Sequence, residues 1–480
     1  MDKTRIFKAL SWNFIGMLGN QVVLFIIGII LARLLDPEDF GLVAMILVFS
    51  NFGQIFIDLG FNNALIQNKT NSQEDLSTLF YVNIVFGLIL FFILYFSSGV
   101  IASFYNKTEL IEITKVISVI FIFFALSSIQ RTLVIKNLDF RFETFVLLAA
   151  SLISGTIAII FALKGFGVWA LVFKVVLQRF FEALFFWIQQ RWRPSLIFRL
   201  NSIKKYINFS LNVTASTILA GISGNIDKLI IGKTFSADSL GFFDRAKNYN
   251  NLVQSNLGLI FGKVMYPVFS EIQDETERFN RIYEKTIQFI CFFTLPIFFI
   301  MIVVAKPLIV VLITDKWLPS VKMLQILAVS GFTYPLSMVI VKAILSKGRA
   351  DLVFQLDFIK TILYFIAILL GSKFGILGVL IAITIVNYMS LTLNALALSI
   401  VCTIKIYKQL KIILLPFVFS SSMWIFLFII NRILIMNELS RLVTLLGLGT
   451  IFYISLNYFF NYGMLIEIKN TLTLIKTINK

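Results

Sequence analysis

Residues 225–254 read N-I-D-K-L-I-I-G-K-T-F-S-A-D-S-L-G-F-F-D-R-A-K-N-Y-N-N-L-V-Q, and a version of this stretch stands 200 positions earlier. Arg33 falls on Lys233, Leu35 on Phe235, Glu38 on Asp238, Phe40 on Leu240, Gly41 on Gly241, Asn51 on Asn251 and Gln54 on Gln254. One helix end, one short turn and one helix start are used twice. A second echo agrees, because Lys164-Gly165-Phe166-Gly167-Val168 and Ser372-Lys373-Phe374-Gly375-Ile376 recur at nearly the same separation. The pattern predicts a duplicated membrane protein whose repeated polar residues point to its function.

Composition sets the class. A mean hydropathy of +0.91, with 59% hydrophobic and 14% charged residues over 480 positions, excludes a soluble domain. Each span needs about 20 mostly apolar residues to cross a hydrocarbon core roughly 30 Å thick. The polar breaks leave room for about 14 spans, near 11–33, 41–62, 79–103, 112–131, 145–163, 168–189, 207–231, 248–270, 286–313, 321–345, 356–372, 376–401, 412–431 and 441–462. The expected fold is all-α and polytopic. No connection exceeds about 20 residues, so a soluble catalytic domain has no room.

The start, M-D-K-T-R-I-F-K, is basic and precedes an apolar run that is too long for a secretory signal and lacks a small-x-small cleavage site. It is read as a retained first span with a cytosolic basic end. Even-numbered connections and both termini are then cytosolic. They carry Arg131, Lys136 and Arg141; Arg191, Arg193, Arg199, Lys204 and Lys205; Arg278, Arg281 and Lys285; and Lys405, Lys408 and Lys411. The opposite connections carry roughly half as many cations, which is the positive-inside bias. Much of the +17 net charge is therefore topological, and nucleic-acid binding is an unnecessary inference. Cys291 and Cys402 imply no disulfide or metal site, and the lack of histidine removes the commonest general base.

Six spans precede the basic connection 190–206 and six more precede 402–411. An even number of crossings keeps both repeats in one orientation, so the expected relation is a pseudo-two-fold along the membrane normal, with a cavity between the halves. The domains expected are a six-helix lobe at 1–200, a second at 201–405, and extra helices 13 and 14 with a cytosolic tail at 406–480. Span one carries Asn13, Gly16 and Asn20 at i, i+3, i+7, and span two carries Asn51, Gln54 and Asp58 at the same spacing. Span seven follows with Asn208, Asn212, Ser216, Ser223 and Asp227, and span eight with Asn251 and Gln254. Such faces point at protein or water, because lipid leaves amides and hydroxyls without partners. Interhelical hydrogen bonding is the structural alternative to a substrate path.

Charges within spans are more specific, since one at the bilayer centre costs about 2.5–3.5 kcal/mol even on the gentler scale. Span six presents Lys174, Gln178, Arg179 and Glu182 over less than half its circumference, and span eleven presents Asp357, Lys360 and Tyr364 at i, i+3, i+7. Asp227 and Lys228 adjoin in span seven, and Asp58 stands alone in span two. Neutralised pairs would explain Arg179 with Glu182 and Asp357 with Lys360, but leave Lys174, Asp58 and Lys263 over. The functional reading is a hydrated, cationic cavity suited to phosphate or an anionic sugar. Its substrate-binding candidates are Lys174, Gln178, Arg179, Asn212, Lys228, Asn251, Gln254 and Lys360. The ion-coupling candidates are Asp58, Asp227, Glu182 and Asp357.

N-x-D-K-L-x-I-G at 225–232, L-G-F-F-D-R-A at 240–246 and Y-P-V-F-S at 266–270 together resemble the bacterial oligosaccharide flippases. L-D-P-E-D-F-G at 35–41, D-L-G-F-N-N-A-L-I-Q at 58–67 and E-D-L-S at 74–77 agree. The chain is most similar to the Wzx-type branch, which serves O-antigen, exopolysaccharide, colanic acid and teichuronic acid pathways, over about its first 400 residues. That superfamily also contains the multidrug and toxin extrusion exporters and the lipid II flippases. The resemblance implies two six-helix lobes working by alternating access, with two extra C-terminal helices. It implies an undecaprenyl-pyrophosphate-linked oligosaccharide as substrate in the cytoplasmic (inner) membrane, and no cofactor. Membrane lipids, a coupling ion (H+ or Na+) and a glycan polymerase are the further partners expected. The pyrophosphate and sugars need a polar, cationic cavity while the prenyl tail stays in lipid.

Two other functions compete. A cation-coupled drug exporter of the same fold would favour cavity acids and aromatics, and the cations Lys174, Arg179 and Lys360 argue against it. A glycan polymerase or ligase would carry a sizeable outward loop with catalytic groups, and the outward connections are too short for one.

Overall fold

The computed structural model gives the backbone of residues 3–461 and 463, apart from 59, 69 and 403, and their side chains except at 3–10, 58, 201, 205, 208–213, 215, 216, 220 and 257–264. Among the described residues there is no strand. The helices in chain order are α1 (Lys3–Leu34), α2 (Pro37–Asp58), α3 (Phe61–Gln67), α4 (Gln73–Phe96), α5 (Ser98–Tyr105), α6 (Leu110–Ser118), α7 (Ile120–Lys136), α8 (Phe140–Leu163) and α9 (Val168–Gln189). They continue with α10 (Leu200–Thr234), α11 (Ala237–Glu271), α12 (Thr276–Ile313), a 3-10 turn (Asp315–Trp317), α13 (Pro319–Val329), α14 (Thr333–Ser346), α15 (Ala350–Ser372), α16 (Gly375–Cys402), α17 (Ile406–Ile433) and α18 (Glu438–Phe460).

Among the described residues, each predicted span lies mainly on helix. The span at 79–103 is divided between α4 and α5, that at 112–131 between α6 and α7 and that at 321–345 between α13 and α14, while the span at 41–62 runs past the end of α2 into the start of α3. Among the described residues, eleven helical segments are long and apolar enough to cross a membrane, and α9, α10 and α11 are not among them. These three carry most of the polar positions singled out from the sequence. In α9 the cause is direct, because Lys174, Arg179 and Glu182 interrupt 22 otherwise mostly apolar residues.

The duplicated turn is reproduced to the residue. α1 ends at Leu34 and α10 at Thr234, while α2 starts at Pro37 and α11 at Ala237. Both starts are capped locally: the Asp36 amide donates to Asp39 Oδ2 (3.2 Å), and the Ser239 amide donates to Ser236 Oγ (3.2 Å). In the second echo, Gly167 and Gly375 occupy matching positions with φ of 54° and 77°, a conformation that a side chain would strain.

The chain forms two compact units, Met1–Asp244 and Arg245–Lys480. In the first, α1 packs on α8, α8 on α9, and α7 on α4 and α9, while α10 packs against α2, α3, α4 and α5. Small residues permit the close α1–α8 approach, since a Cβ at Gly16 would lie 2.0 Å from Thr144 Oγ1 and one at Gly155 2.2 Å from Ile27 Cδ1. In the second unit α15 packs on α16, and α12 holds α13, α17 and α18. Helices α17 and α18 are integral to that unit: Met423, Leu427, Leu445 and Tyr453 share a buried cluster with Phe292, Val303 and Val304, and the Tyr453 hydroxyl donates to the Phe292 carbonyl (3.0 Å).

Candidate functional site

Within the first unit, a cavity of about 290 Å³ is lined by Asn51, Gln54 and Ile55 from α2, Gly60 and Asn63 from the α3 region, Phe124 from α7, and Thr214 and Thr217 from α10. Helical spacing brings Asn51 and Gln54 to one face of α2, as the sequence stripe predicts. Asn51 is held by its neighbour helix, donating to Asn225 Oδ1 (3.3 Å), while Asn225 donates to the Gly221 carbonyl (3.0 Å). The lining thus offers amide and hydroxyl groups around one aromatic ring.

Behind Gln54 stands the polar strip of α9. Arg179 Nη2 donates to Gln54 Oε1 (3.4 Å) and Nη1 to Glu182 Oε2 (2.8 Å). Glu182 is buried, and its second oxygen accepts from Gln178 Nε2 (3.2 Å). Gln178 Nε2 also lies 3.5 Å from Ser151 Oγ, and that hydroxyl donates to Asn20 Oδ1 (2.8 Å). Four helices, α1, α2, α8 and α9, are therefore joined by one chain of polar contacts that ends on the cavity wall. A buried carboxylate is tolerable here because a guanidinium and an amide both donate to it. Lys174 is half-buried one turn before Gln178.

Two further charged candidates, Lys228 and Lys360, are each drawn into a pair. Lys228 Nζ lies 2.5 Å from Asp244 Oδ1, which joins the charged residues of the N-x-D-K and F-F-D-R-A motifs across a helical hairpin. Asp227 beside it is fully buried, and its Oδ1 accepts from the Lys228 amide (2.7 Å). Lys360 Nζ lies 2.8 Å from Asp357 Oδ1 on α15, with the lysine side chain 14% exposed and the aspartate 52%. Glu38, in the L-D-P-E-D-F-G stretch, contacts Lys107 Nζ at 2.5 Å, and that hydrogen bond raises the lysine above its usual range.

The structure does not bring all the predicted site residues to one place. Gln54, Gln178, Arg179 and Glu182 are joined; Asn51 lines the same cavity. In the second unit Asn251 is exposed, and Gln254 donates to the Gly331 carbonyl (3.1 Å). The side chains of Asp58, Asn212 and Lys263 lie outside the described residues. Sequence spacing missed Asn63, Phe124, Thr214 and Thr217 as lining residues, and missed the Lys228–Asp244 and Glu38–Lys107 pairs. Pairs separated by 16 and 69 positions leave no mark on helical periodicity.

An apolar, all-helical chain with duplicated helix turns and a polar cavity defines a polytopic membrane protein of a fold seen in solved transporters. It is similar to the lipid II flippase MurJ in an inward closed conformation, with a TM-score of 0.77 and 16% identity over 94% of this chain and 99% of that one. A model of the family described as polysaccharide biosynthesis protein matches residues 30–322, and the chain belongs to that family. It is 27% identical over 385 residues to the teichuronic acid biosynthesis protein TuaB of Bacillus subtilis (strain 168), covering 78% of this chain and 79% of that protein. It is 26% identical over 372 residues to the lipopolysaccharide biosynthesis protein WzxC of Escherichia coli (strain K12), covering 76% and 75%.

Proposed function

We propose that this protein moves an undecaprenyl-pyrophosphate-linked oligosaccharide from the cytosolic to the outer leaflet of the bacterial cytoplasmic membrane by alternating access, as a transporter and not an enzyme. The observation that carries this reading is the amide- and hydroxyl-lined cavity inside an apolar helical bundle, with Arg179 bonded to its wall through Gln54. Amides and hydroxyls match sugar hydroxyls in both donor and acceptor sense, and Phe124 gives a sugar ring an apolar surface. A guanidinium is the side chain best suited to a pyrophosphate. Membership of the polysaccharide biosynthesis protein family and the relatives named for teichuronic acid and lipopolysaccharide biosynthesis support the substrate class.

In this reading the repeat lobes are 1–200 and 201–405, with 406–480 added, and both termini are cytosolic. Lys174, Gln178, Arg179, Asn212, Lys228, Asn251, Gln254 and Lys360 belong to the substrate path. Asp58, Asp227, Glu182 and Asp357 are the carboxylates available to couple transport to H+ or Na+. A glycan polymerase would receive the product.

The test is a deletion strain. Loss of the protein blocks surface delivery of a glycan while its lipid-linked precursor still forms inside the cell. Arrest of precursor synthesis, or a normal surface glycan with altered drug sensitivity alone, overturns the reading.

A further inference from the structure

The E-D-L-S stretch at 74–77 takes no part in the cavity, and the structure shows what it holds. Trp192 Nε1 donates to Gln73 Oε1 (2.7 Å), and Gln73 Nε2 donates to the Arg193 carbonyl (2.7 Å). Arg199 Nη1 pairs with Glu74 Oε2 (2.7 Å), the Ser195 amide donates to Ser77 Oγ (3.0 Å), and the Arg199 amide donates to Thr78 Oγ1 (3.1 Å). Just beyond, the buried Tyr206 hydroxyl lies 3.1 Å from Asp75 Oδ2 and accepts from Asn68 Nδ2 (2.9 Å). The connection between α9 and α10 is therefore fastened along the start of α4.

Its other face has no such explanation. Leu196 is 97% exposed, and Phe198 and Leu200 are exposed beside it. Residues 190–205 contain Arg191, Arg193, Arg199, Lys204 and Lys205 and no acidic residue. Among the described residues, Glu74 pairs with Arg199. The segment lies between the sixth and seventh spans of the sequence reading, 168–189 and 207–231, and that reading puts its level at the membrane interface. Apolar side chains set among cations there match an anionic leaflet, which takes the chains into its acyl boundary and the cations among its head groups.

We propose that residues 190–204 form an interfacial strap, fastened to α4 on one face and seated on anionic phospholipid on the other. The proposal is independent of the transported substrate. Orientation decides only which leaflet is used, and bilayers of equal composition on both sides remove that dependence.

The experiment uses the full chain carrying Leu196→Cys labelled with an environment-sensitive fluorophore, with the unsubstituted protein setting the background from the buried Cys291 and Cys402. The protein is placed in nanodiscs of phosphatidylcholine with and without phosphatidylglycerol. Shallow spin-labelled lipid and aqueous iodide are the two quenchers. With phosphatidylglycerol present, the lipid quencher is expected to reach the probe and iodide quenching to fall several-fold. Arg191→Gln with Lys204→Gln is expected to restore iodide quenching, while Arg191→Lys with Lys204→Arg keeps the protection. Equal iodide access in both lipids overturns the proposal, as does equal protection in neutral discs and detergent, which would mean a protein cover. Equal loss in the glutamine pair and the charge-conserving pair overturns it as well.

Discussion

Gly41 and Gly241, the same position in the two copies of the repeat, each face the backbone at the start of the other's helix. A Cβ at Gly41 would lie 1.8 Å from the Ala237 carbonyl oxygen, and one at Gly241 would lie 2.0 Å from the Pro37 carbonyl oxygen. The contact is reciprocal: each helix start meets the glycine one turn inside its counterpart. This is the pattern a local two-fold produces. Backbone meets backbone, so no flexible side chain can yield.

Gly41→Ala and Gly241→Ala should therefore each weaken this crossing. Overpacking of this kind typically costs about 1–3 kcal/mol, and the carbonyl positions place these substitutions at the upper end. Thermal unfolding of the purified protein should show the loss, and labelling of Ser236→Cys should speed up as the helix starts part. Gly447→Ala is the control, since a Cβ there meets nothing within 4 Å. A melting temperature unchanged from wild type in both variants would contradict the crossing.

Orientation gives the second prediction. The exposed Lys204, in the basic connection, and the exposed Ser236, in the duplicated turn, should report opposite sides of the membrane. Ser202 is the nearest alternative on the first side but is buried, so Lys204→Cys is the better reporter. An impermeant thiol reagent applied to whole cells should modify Ser236→Cys and spare Lys204→Cys. Equal modification of both would remove the assignment of cytosolic termini.

Much of the fold is legible because helices longer than a membrane is thick announce themselves by composition, and because a repeat marks its own turns. Leu34 and Thr234 end their helices as the 200-residue offset requires. The site was legible in part. Asn51 and Gln54 are found from spacing on a single helix, and Arg179 with Glu182 from a three-residue interval. Thr214, Phe124 and Asn63 join them from other helices, and no local pattern distinguishes a threonine lining a cavity from one bonding its own backbone. Asn20 belongs to a polar face by its spacing, but its partner Ser151 is 131 positions away.

The third prediction concerns coupling. Asp227 is fully buried one residue before the paired Lys228, and Asp58 follows the cavity residues of its own helix at i+4 from Gln54. Asp227→Asn and Asp58→Asn preserve size while removing a titratable charge. Each is expected to abolish transport driven by an H+ or Na+ gradient in proteoliposomes while the protein still folds. If both variants respond to imposed gradients as wild type does, neither carboxylate couples the ion.

The last prediction separates substrate contact from support at Arg179. Arg179→Ala removes the donor to both Gln54 and the buried Glu182, leaving that carboxylate with Gln178 as its other donor. Breaking a buried ion pair from one side costs about 3–5 kcal/mol, and the 30% exposure of Arg179 puts this pair at the lower end. Folded yield should fall in Arg179→Ala and return in the double variant with Glu182→Ala, which removes the unpaired charge. Transport per folded protein should stay at least tenfold low in the double variant, because the guanidinium behind the cavity wall is still missing. Arg179→Lys keeps the charge but loses the planar fork that reaches Glu182 and Gln54 together, so it should fold well and transport weakly. Gln54→Ala, which removes a lining amide and leaves the ion pair in place, should lower transport without lowering yield. Full transport by both the double variant and Gln54→Ala would reduce the strip on α9 to an internal brace and detach it from the substrate.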